Sequence, residues 1–313
     1  MRIFAVIRAA SLGFVLLCLA CSPAGDAEPR PDAAGASMLS VYVVNDPLRY
    51  LAERIAGAQA TVVFPAPPDV DPAYWIPEPE TVAAYQSADL ILRNGAGYAR
   101  WVELASLPRA RTLDTSQAFH ERLLPLEETV AHRHGPTGGH THTGLAFTTW
   151  LDPVLASLHA AAIADALAQL QPEHETEFRE NLSALERDLD ALDRRLAAAA
   201  RRLGATPLLF SHPVYPYLIQ RYGLNARSLH LEPDEPPSQA QWRELRELLA
   251  EHPARWMLWE ATPRPETARR LHEVGVSSGV FDPASGVPAA GDFLTRMQQN
   301  AAQLEAVARH AGS

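Results

Sequence analysis

The sequence predicts an α/β protein of two α/β lobes, each built on a parallel-type sheet, joined by one long backbone helix. Three observations lead there. From residue 39 short apolar runs alternate with helical stretches, residues 173–203 carry an unbroken leucine stripe, and a second strand–helix alternation follows it. Strand–helix–strand order implies parallel strands covered by helices.

Residues 1–20 set Arg2 and Arg8 ahead of the apolar run "AASLGFVLLCLA". That run is too short to span a bilayer and suits the core of a signal peptide. It ends at Ala20-Cys21-Ser22, and removing residues 1–20 would leave Cys21 as the new N-terminus and the one thiol of the mature chain. No internal disulfide can then form. Cys21 is the expected lipidation site, although Cys18 stands three residues earlier, where lipoprotein signals usually carry an aliphatic residue. Residues 21–38 are small, polar and proline-bearing, the composition of a lipid-anchored, disordered tether.

Residues 39–172 form the expected N-terminal lobe. "LSVYVVN" (39–45) reads as a strand, "DPLRYLAERIAG" as a helix ending at Gly57, "TVVFPA" (61–66) as a second strand, "EPETVAAYQSA" as a short helix and "DLILRNG" (89–95) as a third strand. The loop 131–144, "AHRHGPTGGHTHTG", packs four histidines into eleven positions, and Gly135, Pro136, Gly138 and Gly139 disfavour regular structure in it. A helix from Trp150 closes the lobe. In residues 173–203, Leu182, Leu185, Leu189, Leu192 and Leu196 recur at steps of three and four, with no proline from Glu173 to Gly204. One amphipathic linking helix of about 45 Å follows. Residues 204–313 form the C-terminal lobe, with strands in "TPLLFSH", "ARSLHL", "RWMLWE" and "SSGVFDP" and a last helix from about Asp292 to Arg309.

The chain has 313 residues and a net charge of −10; all 27 basic residues are arginine and none forms a stripe. That argues against nucleic acid as a partner. There is no His-Glu-x-x-His helix and no nucleophile motif, so no enzyme is expected. Ligands of open α/β lobes bind outside the carboxyl ends of strands, which makes residues just after strands the candidates.

The segments "DPAYWIPEPETVAAYQSADLILRNGAGYARWVE" (71–103), "TTWLDPVLASLHAAAIADALAQLQPEHETEFREN" (148–181), "FSHPVYPYLIQRYGL" (210–224) and "EPPSQAQWRELRELL" (235–249) resemble the ZnuA/TroA-like family, the periplasmic metal-binding proteins of zinc and manganese ABC importers. The resemblance covers nearly all of residues 39–310. It implies two α/β lobes on a long helix and an extracytoplasmic solute-binding lipoprotein. Such a protein would be monomeric, in the periplasm or on the cell surface, and would deliver a divalent metal from the interlobe cleft to an ABC permease. A purely adhesive surface lipoprotein, which would bind no metal and tolerate replacement of His212, is a further reading.

The family's metal site has four ligands. Ala73 stands where the first, a histidine after Asp-Pro, belongs, and Thr148 stands at the second, two residues before the tryptophan of "WLDP". His212 matches the third and Asp282 the fourth. Alanine donates nothing and a threonine hydroxyl is a poor donor. His140 and His142, two apart and therefore on one side of an extended segment, can join His212 and Asp282 and restore three histidines and a carboxylate. His132 and His134 form a second pair, with Glu260 and Asp71 as further accessory donors; Asp71 also fits a turn-capping role. His159 and His230 read as structural. Imidazole ligation favours zinc over manganese and weakens as pH falls toward 6. The alternative is a binding protein of the same fold for a metal chelate or small organic ligand, its cleft lined by Tyr74, Trp75, Trp150, Tyr215 and Tyr217, with the loop only collecting metal. Those aromatics equally suit packing between lobes.

Overall fold

Val41 and Val43 are the inward-facing residues of β1 (Leu39–Val43), and Asn45 turns the chain from it into a helix by accepting the Leu48 amide at 2.9 Å. That helix, α1 (Asp46–Ala56), stops at Gly57, whose φ of 56° is a conformation that costs glycine little and other residues more. The computed structural model describes residues 38–68, 70–126, 131–133, 139–141 and 144–311.

The N-terminal half continues through β2 (Ala60–Val63), α2 (Pro79–Ser87), β3 (Leu90–Arg93), α3 (Trp101–Leu104) and β4 (Thr112–Asp114). All four strands pair in parallel in the order β2-β1-β3-β4. β4 was not legible in the sequence: three residues with one apolar side chain, Leu113, carry no alternation. The histidine-rich loop departs from the irregular course its composition suggested. β5 (Ala131–Arg133) and β6 (Gly139–Thr141) pair antiparallel, setting His132 opposite His140.

Asp152 caps α4 (Pro153–Leu170) by accepting the Val154 amide at 2.8 Å. The spine α5 (Glu175–Leu203) follows as one helix, its stripe from Phe178 through Leu185, Leu189 and Leu196 fully buried against α1, α4 and α9 (Phe293–Ala311). Truncating one such leucine to alanine costs roughly 2–5 kcal/mol. Arginines pin the surrounding helices to the spine: Arg54 of α1 to Asp188 at 2.7 Å, Arg195 to Glu305 of α9 at 2.7 Å, and Arg221 of α6 (Pro216–Tyr222) to Asp193 at 2.6 Å.

The C-terminal sheet contains β7 (Leu208–Phe210), β8 (Ala226–Ser228), β9 (Trp256–Trp259) and β10 (Ser277–Val280), parallel in the order β10-β9-β7-β8. α7 (Gln239–Glu251) and α8 (Pro265–Glu273) connect them. The first strand of each half has its next neighbours on opposite sides, so the strand order reverses between β1 and β3 and between β7 and β9. Such a switch point opens a crevice at the carboxyl ends of its strands.

Candidate metal centre

At the C-terminal switch point, β7 ends at Phe210 and Ser211 keeps the chain in register by donating its amide to Leu258 at 2.9 Å. The next residue is His212, buried at 5% exposure. Its Nδ1 lies 3.6 Å from Oε1 of Glu260, which directly follows β9, and 3.7 Å from Oε1 of Glu232. Both separations exceed a hydrogen bond. Glu232 comes from the extended segment after β8, in which the Leu231 amide donates to the Ser211 carbonyl at 2.8 Å. The His230 ring stands edge-on to His212, centroids 5.4 Å apart and planes at 86°.

The N-terminal half reaches this cluster through Tyr74. Burial first, then the charge of Asp71, pushes its phenol pKa well up; Arg100 opposes the shift, and Glu260 and Glu232 add to it. Asp71 accepts the Ala73 amide at 2.9 Å, so it shapes the turn that carries Tyr74. The excess of carboxylates around His212 makes the locality attractive to a cation.

The two lost family positions are filled rather than open. Ala73 is buried, and buried Thr148 donates its hydroxyl to the Val214 carbonyl at 2.6 Å. The cleft aromatics are engaged as well. Trp150 donates to the Pro283 carbonyl at 2.7 Å, Tyr215 to the Phe281 carbonyl at 2.6 Å, and Tyr217 to the Ala146 carbonyl at 2.9 Å. Trp75 packs edge-on to Trp101 at 6.3 Å. Trp150 and Tyr217 bond between the halves, Tyr215 bonds within the C-terminal half and Trp75 packs within the N-terminal one, so these rings have the packing role that the sequence equally allowed.

Asp282 sits in a turn of its own. Its Oδ1 accepts the Ala284 amide at 2.7 Å, and its Oδ2 lies 3.5 Å from Nη1 of Arg296. Arg296 also donates to the buried Asp46 at 2.5 Å and to the Ala284 and Gly286 carbonyls. Burial raises the Asp46 pKa, and its arginine partners Arg49 and Arg296 oppose that shift. His159 is buried between Thr149 and Thr115 at 2.8 and 2.7 Å, and desolvation lowers its pKa to about 3. It has the structural role the sequence suggested.

The structure thus brings together His212 and Glu260 from the sequence-derived candidates and adds His230 and Glu232. Sequence reasoning took His230 as structural and passed over Glu232. The signal was present in the alternation Leu229-His230-Leu231-Glu232, whose leucines are buried and whose other two residues share the opposite face. Asp282 is drawn toward Arg296. His134, His142 and Cys21 lie outside the described residues, and of His132 and His140 only the backbone pairing is described. Among the described residues, no three His, Cys, Asp or Glu side chains converge closely enough to hold an ion as they stand.

A family model described as ZnuA, zinc-uptake complex component A, periplasmic, matches residues 41–307. The high-affinity zinc uptake system protein ZnuA of Bacillus subtilis (strain 168) is 25% identical over 290 residues, covering 87% of this chain and 86% of that protein. Among solved structures, the metal-dependent lipoprotein YcdH from Bacillus subtilis superposes with a TM-score of 0.73 at 22% identity, over 87% of this chain and 98% of the other. The Zn(II)-bound ZnuA-like domain of Streptococcus pneumoniae AdcA gives 0.72 at 22% identity, over 88% and 99%. At that identity the two structures establish a shared fold.

Proposed function

This chain belongs to the ZnuA family of periplasmic zinc-uptake components, and on that premise we propose that it captures zinc in the cleft between its two sheets and delivers it to an ABC importer. The observation that carries the reading is His212 at the C-terminal switch point, with Glu260 and Glu232 at 3.6 and 3.7 Å from one ring nitrogen. A buried imidazole flanked by carboxylates matches the nitrogen and oxygen donors that zinc takes, and suits it better than manganese, which prefers oxygen alone. The family is a binding component and not an enzyme, and the site holds no nucleophile paired with a base.

Location follows from the first residues. A charged start, a short apolar core and Cys21 support export and lipid anchoring, with the binding unit held at the membrane surface beside a permease. The interhalf bonds of Thr148, Trp150 and Tyr217 support a cleft that changes little on loading.

Zinc titration of the full chain at pH 7.5, with His212→Ala alongside, tests the reading. One tight site is expected, weakened by roughly 100-fold or more in the variant. Equal affinity in both proteins would refute cleft capture and leave the histidine-rich loop as the only binder.

A further inference from the structure

We propose that this chain rebuilds its ion site on the C-terminal sheet alone, with His230 and Glu232 joining His212 and Glu260 as donors in place of the two histidines its N-terminal half lacks. The inference rests on the zinc-binding reading above and names the ligands of that same site.

The spacing fits a common ion. Two imidazoles bound to one zinc through ring nitrogens at roughly 2.0–2.1 Å, at a tetrahedral angle, hold their ring centroids about 5 Å apart. His212 and His230 stand at 5.4 Å. Two donor atoms of one such tetrahedron lie about 3.3 Å apart, and the His212 nitrogen is 3.6 and 3.7 Å from the two glutamate oxygens. The terminal torsion of a glutamate is broad and soft, so a small rotation closes the difference. Two neutral imidazoles and two carboxylates also balance the charge of a divalent ion.

The local chain delivers these donors without moving the halves. His230 and Glu232 are two residues apart on an extended segment, with Leu229 and Leu231 anchored in the core at 1% and 2% exposure. The Leu231 amide ties the segment to Ser211, and Gln241 Nε2 donates to the His230 carbonyl at 2.6 Å. The competing fourth ligand, Asp282, is committed elsewhere: turning it to an ion would take it from the Ala284 amide and from Arg296. Ala73 and Thr148 are buried and have nothing to contribute.

The test uses the full chain titrated with zinc against a chromophoric chelator. His230→Gln and Glu232→Gln are compared with Asp282→Asn, with a His140→Ala/His142→Ala double variant and with His212→Ala. Circular dichroism and melting of the zinc-free proteins confirm folding. His230→Gln and Glu232→Gln are each expected to weaken the tight site by more than roughly 10-fold, while Asp282→Asn and the loop variant bind as the wild type does. If His212→Ala loses the ion and His230→Gln and Glu232→Gln keep it, the ligand assignment is overturned and the zinc-binding reading stands. If the wild type shows no site sensitive to His212, both fall together.

Discussion

Where β1 and β3 part, the chain sets Asn45 and Asn94 side chain to side chain at 3.2 Å; where β7 and β9 part, it sets His212 and Glu260 at 3.6 Å. The two crevices share a topology and differ in chemistry. In the N-terminal one, neutral polar groups satisfy one another: Asn94 donates on to the Phe147 carbonyl at 2.8 Å, and Thr148 bonds across to Val214. Its buried Asp46 is taken up by arginine. In the C-terminal crevice, the His212 ring stands 3.6 and 3.7 Å from oxygens of Glu260 and Glu232 and edge-on to His230. Under the proposed function the same fold element is a fastener in one half and a receptor in the other, as expected where function resides in the site and not in the architecture.

If that division holds, changes in the N-terminal crevice alter stability and spare zinc affinity. The largest such effect is expected from Arg296→Met, which takes one of two arginine partners from the buried Asp46 carboxylate and the donor from the Ala284 and Gly286 carbonyls. A loss of roughly 3–5 kcal/mol in chemical denaturation is expected, and a variant as stable as wild type would contradict the clamp. Next comes pH. The fold keeps His159 neutral down to about pH 3, whereas the unfolded ring takes its proton near 6.5. The unfolded chain therefore binds the extra proton, so this stability is complete above 6.5 and is lost as pH falls toward 3. Lowering the pH from 7 to 4 should remove about 3 kcal/mol through this residue, and His159→Gln should flatten that slope in melts across the range.

Thr148→His puts back an imidazole at the family position and offers the sharpest chance to break the comparison. It overfills a buried site and loses the bond to Val214, so a destabilisation of roughly 1–3 kcal/mol with unchanged zinc affinity is expected. Tighter zinc binding would show that the N-terminal crevice remains a receptor. The smallest effect belongs to the half-exposed pair on the spine: Asp188→Asn, which weakens its contact with Arg54, should cost under about 1 kcal/mol in the same denaturation assay.

The fold was largely legible because periodicity reports burial. The stripe from Leu182 to Leu196 and the apolar run at Leu208–Phe210 correspond to α5 and β7. β4 escaped because three residues cannot show a period, and the β5–β6 hairpin escaped because turn-forming residues masked the short strands flanking them. The proposed site was half legible. His212 and Glu260 each end a strand and announce themselves by position. Glu232 and His230 become neighbours of His212 only through the pairing of β8 with β7, a long-range fact that local pattern does not carry. Asp282 was named from the motif its turn matches, and its neighbour Arg296, fourteen residues on in a helix, is likewise a contact that local pattern does not carry.

X-ray absorption at the zinc edge of the full chain loaded with one equivalent of zinc tests the central claim most directly, since it counts imidazoles around the ion. Two imidazoles with oxygen donors completing the shell is the predicted result. Three imidazoles would contradict it, because the proposed site supplies two and a donor from elsewhere, such as the histidine-rich loop, would then complete the shell.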